Sequence, residues 1–166
     1  MFKLQLASTD KDFVLVRNLA EEIWPGVYGT ILSNTQIAYM IELMYAKPII
    51  AAEVAAGIKY YLAMSGKTPA GYLSFGQSAD DPETLKLHKL YLHKEFRGNG
   101  FGKKMIQFAI EQARQDGYKK LKLNVNKNNA ASIAVYKKCG LTMDSAVTVD
   151  IGNSFFMDDY VFSINL

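Results

Sequence analysis

Between a strand-like pattern ending at Leu92 and a helical pattern that follows lies Arg97–Gly98–Asn99–Gly100–Phe101–Gly102–Lys103, three glycines in five positions with a cation at each end. Glycines let the backbone turn tightly and approach a ligand without side-chain clashes. A helix starting at such a turn aims unpaired N–H groups and a partial positive charge at whatever lies in front of it. The natural occupant is an anion, and a pyrophosphate fits. Two rival phosphate motifs fail. The Walker pattern requires glycine at 97 and Ser or Thr at 104, where the chain has Arg97 and Lys104. The dinucleotide pattern G-x-G-x-x-G requires its third glycine at 103, whereas Gly102 comes one residue early, and its strand would normally open the fold.

The strand before this loop changes parity. Leu85 and Leu87 share one face, whereas Leu90 and Leu92 have the opposite parity. A regular strand cannot bury both pairs on one side. An extra residue near His88 or Lys89 repairs the register, as a β-bulge does, and frees backbone groups for an extended amide chain. A strand buried on both faces at one end gives the same pattern. Further on, Asn129, Ser132 and Tyr136 share a helical face, with Asn129 placed to cap the helix. A right-handed crossover brings this helix start to the same sheet edge as the glycine loop.

Around these features the chain alternates short elements. Leu4–Gln5–Leu6 reads as a first strand. A helix from Asp10 buries Phe13, Val16, Leu19, Ala20 and Ile23 and is expected to end at Trp24–Pro25–Gly26, with Tyr28 to Thr30 in a loop. Ser33 or Asn34 caps a second helix, and Ile49 to Ile58 forms a third, stopped by Gly57. Tyr60 to Met64 and Ala70 to Phe75 form a hairpin, Thr84 to Leu92 the next strand, and a long helix ends at Gly117. Leu121, Leu123 and Val125 alternate as a strand, Ala130 to Cys139 form a helix stopped by Gly140, and Val147–Ile151 with Phe155–Ile164 form a last hairpin. With no repeat or linker, residues 1–166 read as a single α+β domain of layered helices and sheet.

Composition removes other classes. A formal net charge of +3 leaves no dense basic stripe for nucleic acid. Cys139 is the one cysteine, which excludes an internal disulfide, and with His88 and His93 it makes no convincing metal site. The most apolar stretch, Pro48 to Ile58, holds Glu53 and is too short to span a bilayer. The start of the chain carries charge too early for a signal peptide. A cytoplasmic protein is expected.

The run Leu90–Tyr91–Leu92, then Arg97–Gly98–Asn99–Gly100–Phe101–Gly102, then Asn129 to Tyr136 and Gly140–Leu141, resembles the GNAT superfamily of acyl-CoA N-acyltransferases. Arg97, Gly100 and Gly102 match its Q/R-x-x-G-x-G/A signature, and Leu141 departs mildly from the usual phenylalanine. The specific likeness spans Thr84 to Leu141, about a third of the chain. It implies a three-layer α/β/α fold whose central, mostly antiparallel mixed sheet is splayed between two parallel strands. It implies acetyl-CoA as the acetyl donor, no metal, an amine acceptor, and a homodimer as a common assembly. Leu90, Tyr91 and Leu92 would present backbone groups to the pantetheine arm and thioester. Arg97, Gly98, Asn99, Gly100, Phe101, Gly102 and Lys103 would wrap the pyrophosphate. Asn129 and Ser132, with Asn126 a weaker candidate, would approach the pantetheine arm.

The chemistry implied is direct attack by the amine on the thioester in a ternary complex. A strand N–H near Leu90 or Leu92 would hold the oxyanion. Tyr136 would protonate the departing thiolate, a phenol near ~10 and a thiol near ~8.5 being close enough in pKa. His88, Glu22, Glu53 and Tyr28 are candidate bases, with His88 favoured by its strand. Cys139 is an acetyl relay or a buried small residue. Trp24, Tyr28 and Tyr39 belong to the acceptor region of the resembling family. Asp158 and Asp159 must point to opposite faces of their strand, and an acid facing the pocket would attract a polycationic amine. The segments around Trp24–Met44 and Asp150–Val161 are similar to bacterial polyamine acetyltransferase-like proteins. A non-catalytic acetyl-CoA sensor and a nucleotide-binding regulator remain alternatives.

Overall fold

The computed structural model describes residues 1–166. In chain order it has β1 (Phe2–Ala7), α1 (Asp10–Tyr28), α2 (Asn34–Tyr45), α3 (Lys47–Ala55), β2 (Lys59–Ser65), β3 (Thr68–Gln77) and β4 (Thr84–Leu92). A short 3₁₀ turn, Lys94–Phe96, leads to α4 (Phe101–Gln115), β5 (Lys120–Asn126), α5 (Ala130–Lys138), β6 (Thr142–Gly152) and β7 (Phe155–Asn165). The strands form one sheet in the order β1-β2-β3-β4-β5-β7-β6. Only the β4–β5 pair is parallel, as the α+β reading with a mixed, mostly antiparallel sheet requires.

The sheet separates two apolar cores. On one face α1, α2 and α3 bury Trp24, Tyr45, Ile50, Tyr60 and Tyr72. On the other α4 and α5 bury Met105, Ile106, Ala109 and Tyr136 against Leu85, Leu87, Leu121 and Phe162. No helix is long and apolar enough to cross a membrane.

Local chemistry sets most helix starts. Thr9 caps α1 in a reciprocal box with Asp12, whose carboxylate accepts from the Ser8 and Thr9 amides at 2.9 Å. Ser33 caps α2 by accepting from the Gln36 amide. Two sequence expectations need correction. α1 does not stop at Trp24–Pro25–Gly26 but runs on to Tyr28. Proline inside a helix costs about 3 kcal/mol. Burial of the Tyr28 ring, on the order of 1.5–3 kcal/mol, and its packing on Trp24 at 4.9 Å offset that cost. β6 starts at Thr142 rather than Val147, because an edge strand exposed along most of its length carries no apolar alternation to mark its beginning.

The parity change in β4 is a bulge. Leu87 pairs with Phe75 and Lys89 with Ser74, so His88 is the extra residue. Leu85, Leu87, Leu90 and Leu92 all pack toward α4, while Lys89 and Tyr91 turn toward α1 and α3. Parallel pairing with β5 runs from Thr84–Lys120 to Leu87–Leu123 and stops there. The sheet therefore splits at the bulge. Behind the split, β3 comes so near that a Cβ on Gly71 would lie 2.2 Å from the Tyr91 carbonyl oxygen.

Candidate active site

Three openings surround the split. A groove of about 250 Å³ is lined by Leu90, Tyr91 and Leu92 of β4, Arg97, Gly102 and Ile106 of the glycine loop and α4, and Asn129, Ser132, Val135 and Tyr136 of α5. Past Leu87 the β5-facing edge of β4 has no strand partner, so its backbone groups are free for an extended ligand. Arg97 donates from Nε to the Leu92 carbonyl at 3.0 Å, which fixes the loop to the strand end.

Gly98 and Gly100 hold φ of 82° and 75°, the left-handed region that glycine adopts without strain. Gly100 is the N-cap of α4, and no side chain caps this helix. Its first amides therefore face the end of the groove. Of this loop only Arg97 and Gly102 line the groove; Gly98, Asn99, Gly100, Phe101 and Lys103 do not. Phe101 stacks on Phe2 at 4.4 Å and so anchors the helix start to β1. This arrangement fits an anionic, extended ligand, with the charged end at α4 and the arm along β4.

A second cavity, about 260 Å³, lies on the α1–α3 side. Trp24, Tyr28, Tyr45, Leu32, Met40, Met44, Phe156 and Met157 supply its aromatic and apolar lining, and Gln36, Glu53, Lys86, His88, Lys89, Asn124, Asn126 and Asp159 supply polar groups. A narrow cleft of about 30 Å³ shares Tyr28, His88, Lys89 and Tyr91 with this cavity and Leu90, Asn129, Ser132 and Tyr136 with the groove. The cleft lies at the bulge, where β4 and β5 part.

Tyr136 is buried, makes no hydrogen bond within the protein, and faces groove and cleft together. Burial raises its pKa, so it stays a protonated phenol at neutral pH. Tyr28 and Tyr91 share a hydrogen bond of 2.8 Å, and burial pushes Tyr28 up to about 12. His88 lines both the cavity and the cleft and is exposed to solvent. Desolvation, then Lys86 and Lys89, bring it down to about 4, so it is neutral near pH 7.

Among the remaining sequence candidates, Glu22 is exposed on α1 and lines none of these spaces, which removes it as a base. Glu53 is in the cavity but is held by Lys89 at 3.3 Å and by the Tyr60 hydroxyl. Trp24 is wall and core at once, donating to the Tyr72 hydroxyl at 3.2 Å. Tyr39 props the last hairpin instead, donating to the Ile151 carbonyl at 2.7 Å. Cys139 lies outside every one of these spaces, which argues against an acetyl relay. Asp158 turns to Lys127 at 2.6 Å, and Asp159 turns into the cavity, as alternation demands. Motif and periodicity do not single out Lys86, Lys89 and Asn124, which the fold brings into the cavity. The parity shift at His88 is the sequence signal for Lys89, because a bulge that buries Leu90 must turn its neighbour the other way.

Comparison with known proteins agrees with this geometry. The sequence profile of the Acetyltransferase (GNAT) family matches residues 15–141. The chain belongs to the GNAT family. Within that family it is 27% identical over 152 residues, 87% of each chain, to an uncharacterized N-acetyltransferase of Lactobacillus delbrueckii. It is 26% identical over 106 residues to the L-amino acid N-acyltransferase MnaT of Escherichia coli, a match that spans 63% of this chain and 61% of that one. The PaiA N-acetyltransferase of Thermoplasma acidophilum, solved with coenzyme A, superposes with a TM-score of 0.83 at 20% identity, over 100% of this chain and 99% of that one. This last likeness is one of fold. GNAT membership makes the chain an acetyltransferase.

Proposed function

We propose that this GNAT enzyme transfers acetyl from acetyl-CoA directly to a small primary amine held in the second cavity. The balance is acetyl-S-CoA plus R–NH₃⁺ giving R–NH–CO–CH₃, HS-CoA and H⁺. The groove holds the donor, with the α4 amides, Arg97 and Lys103 toward the pyrophosphate and the free edge of Leu90–Leu92 along the arm. Asn129 and Ser132 border the arm. The observation that carries the reading is the cleft at the His88 bulge, where the two spaces meet beside the unengaged Tyr136 hydroxyl.

In this reading the amine gives up a proton, its nitrogen forms the new C–N bond, and the C–S bond breaks. A β4 amide at Leu90 or Leu92 stabilises the oxyanion. Tyr136 gives its proton to the departing sulfur and is reprotonated by the second proton that the newly acylated nitrogen sheds. His88, neutral and lining both the cavity and the cleft, takes the ammonium proton through water. Its lowered pKa makes it a weak base, so the transfer relies on solvent as the final acceptor.

The test is Tyr136→Phe. Loss of a general acid lowers kcat by about 10²–10⁴-fold, with KM for acetyl-CoA nearly unchanged. An unaltered kcat removes Tyr136 from the chemistry. Two acceptor classes are supported at this level. The acid Asp159 in the cavity suits a polyamine, and the named activity of the E. coli relative suits an amino acid.

A further inference from the structure

The acceptor cavity contains two charged side chains of opposite sign, neither of which is held in a salt bridge. Asp159 is 3% exposed and makes no salt bridge; the neighbouring Asn124 side chain favours its charged form. Lys86, half-buried on β4, also forms no ion pair. Asp80, which acts on it from a distance, is taken by Lys122 at 2.7 Å and by Ser78. The other acid and base of the cavity behave differently. Glu53 and Lys89 neutralise each other at 3.3 Å, with the Tyr60 hydroxyl 2.8 Å from the Lys89 ammonium.

Removing that internal pair from the count leaves one free anion and one free cation on the wall. They make no salt bridge with each other, although each favours the other's charged form across the cavity. A buried unpaired charge is costly, and desolvation shifts both groups toward neutrality, Asp159 upward and Lys86 downward. A ligand that brings one charge of each sign relieves both. The lining contributed by Leu32, Met40, Met44, Phe156 and Met157 is apolar, and the one polar side chain beside it, Gln36, is neutral and donates to the Phe156 carbonyl at 2.9 Å. About 260 Å³ lies below the roughly 300–1,000 Å³ of pockets for drug-sized ligands, so the occupant is small.

We propose that the acceptor amine carries its own carboxylate: a small α-amino acid with an apolar side chain, its carboxylate bound by Lys86 and its ammonium drawn to Asp159. The proposal rests on the acetyl-transfer reading above and chooses between its two acceptor classes. A polyamine satisfies Asp159 but brings a further ammonium into a cavity that already holds Lys86 and Lys89, and juxtaposed like charges disfavour a partner.

The experiment measures coenzyme A thiol release from acetyl-CoA with matched pairs of amines. Methionine is set against 3-(methylthio)propylamine, leucine against 3-methylbutylamine, and spermidine is run beside them. Each amino acid should exceed its decarboxylated partner in kcat/KM by at least about tenfold, the worth of one charge-assisted hydrogen bond. Lys86→Gln should raise KM for the amino acids by about tenfold and move the plain amines by less than about twofold, with Lys86→Arg recovering part of the loss. Plain amines or spermidine matching the amino acids overturns the proposal, as does a Lys86→Gln effect equal on both members of a pair. If no amine releases thiol, the transfer reading itself fails. Calorimetry on the coenzyme A-loaded protein then decides the proposal separately. Methionine binding that is abolished by Lys86→Gln supports it, and equal heats for methionine and 3-(methylthio)propylamine overturn it.

Discussion

Replacing Lys89 with methionine isolates the contact that ties the bulged strand to α3. Lys89 is 7% exposed, with its ammonium 2.8 Å from the Tyr60 hydroxyl, 3.3 Å from Glu53, and over the Tyr45 and Tyr60 rings at 5.3 and 5.2 Å. Breaking one side of a fully buried pair costs roughly 3–5 kcal/mol, because the remaining charge is stranded. Glu53 keeps 34% of its side chain exposed, so water compensates part of that loss. Methionine also recovers the ammonium's desolvation penalty and fills similar space. The expected net is a loss of about 2 kcal/mol, which for a chain of this size lowers Tm by about 4–8 °C. Adding Glu53→Gln removes the stranded charge, so the double variant should be more stable than the sum of the singles by about 1 kcal/mol. Urea unfolding followed by fluorescence of Trp24, the one tryptophan and buried in the adjacent core, measures all four states. A Lys89→Met protein as stable as the parent, or strictly additive variants, would refute the coupling.

Two glycines that look alike in sequence should respond differently to alanine. At Gly100 no heavy atom lies near the added Cβ and only the positive φ opposes it, so Gly100→Ala should cost about 1–2 kcal/mol by chemical denaturation. At Gly71 the Cβ would lie 2.2 Å from the Tyr91 carbonyl, so β3 and β4 must separate; Gly71→Ala should cost more than Gly100→Ala and also weaken coenzyme A binding by calorimetry, and the reverse ranking contradicts the packing described. His88 has its pKa lowered from the ordinary histidine value to about 4, so between these values the unfolded chain binds the extra proton. Stability should therefore fall as pH drops from about 6.5 toward 4. His88→Gln should flatten that part of a Tm-against-pH curve, and an unchanged slope removes His88 as its source. The kcat profile of the parent should likewise show no histidine inflection near pH 6.5.

The parts of the site legible in the sequence are those whose chemistry is local. Gly98 and Gly100 signal left-handed turns wherever they occur in such a spacing, and the uncapped start of α4 follows directly from them. The bulge is legible because burial alternates strictly along a strand, so Leu85, Leu87, Leu90 and Leu92 cannot share a face without an inserted residue. Asn129 as a cap and Tyr136 on the same helix face follow from helical periodicity alone. Pro25 gives a false stop for α1, because the burial of Tyr28 that carries the helix past it depends on β4, far along the chain.

The chain's own order of residues therefore determined the groove we propose for the donor: one loop, one bulged strand and one helix face, each specified by neighbours within a few positions. The cavity we propose for the acceptor was decided only by folding. Its walls come from α1, α2, α3, β4, β5 and β7, and nothing in the local pattern around Lys86 or Asp159 shows that they share a cavity or that Glu53 neutralises Lys89 and leaves them unpaired. Backbone geometry is a short-range property of the chain, whereas the charge balance of a cavity belongs to groups brought together from its whole length.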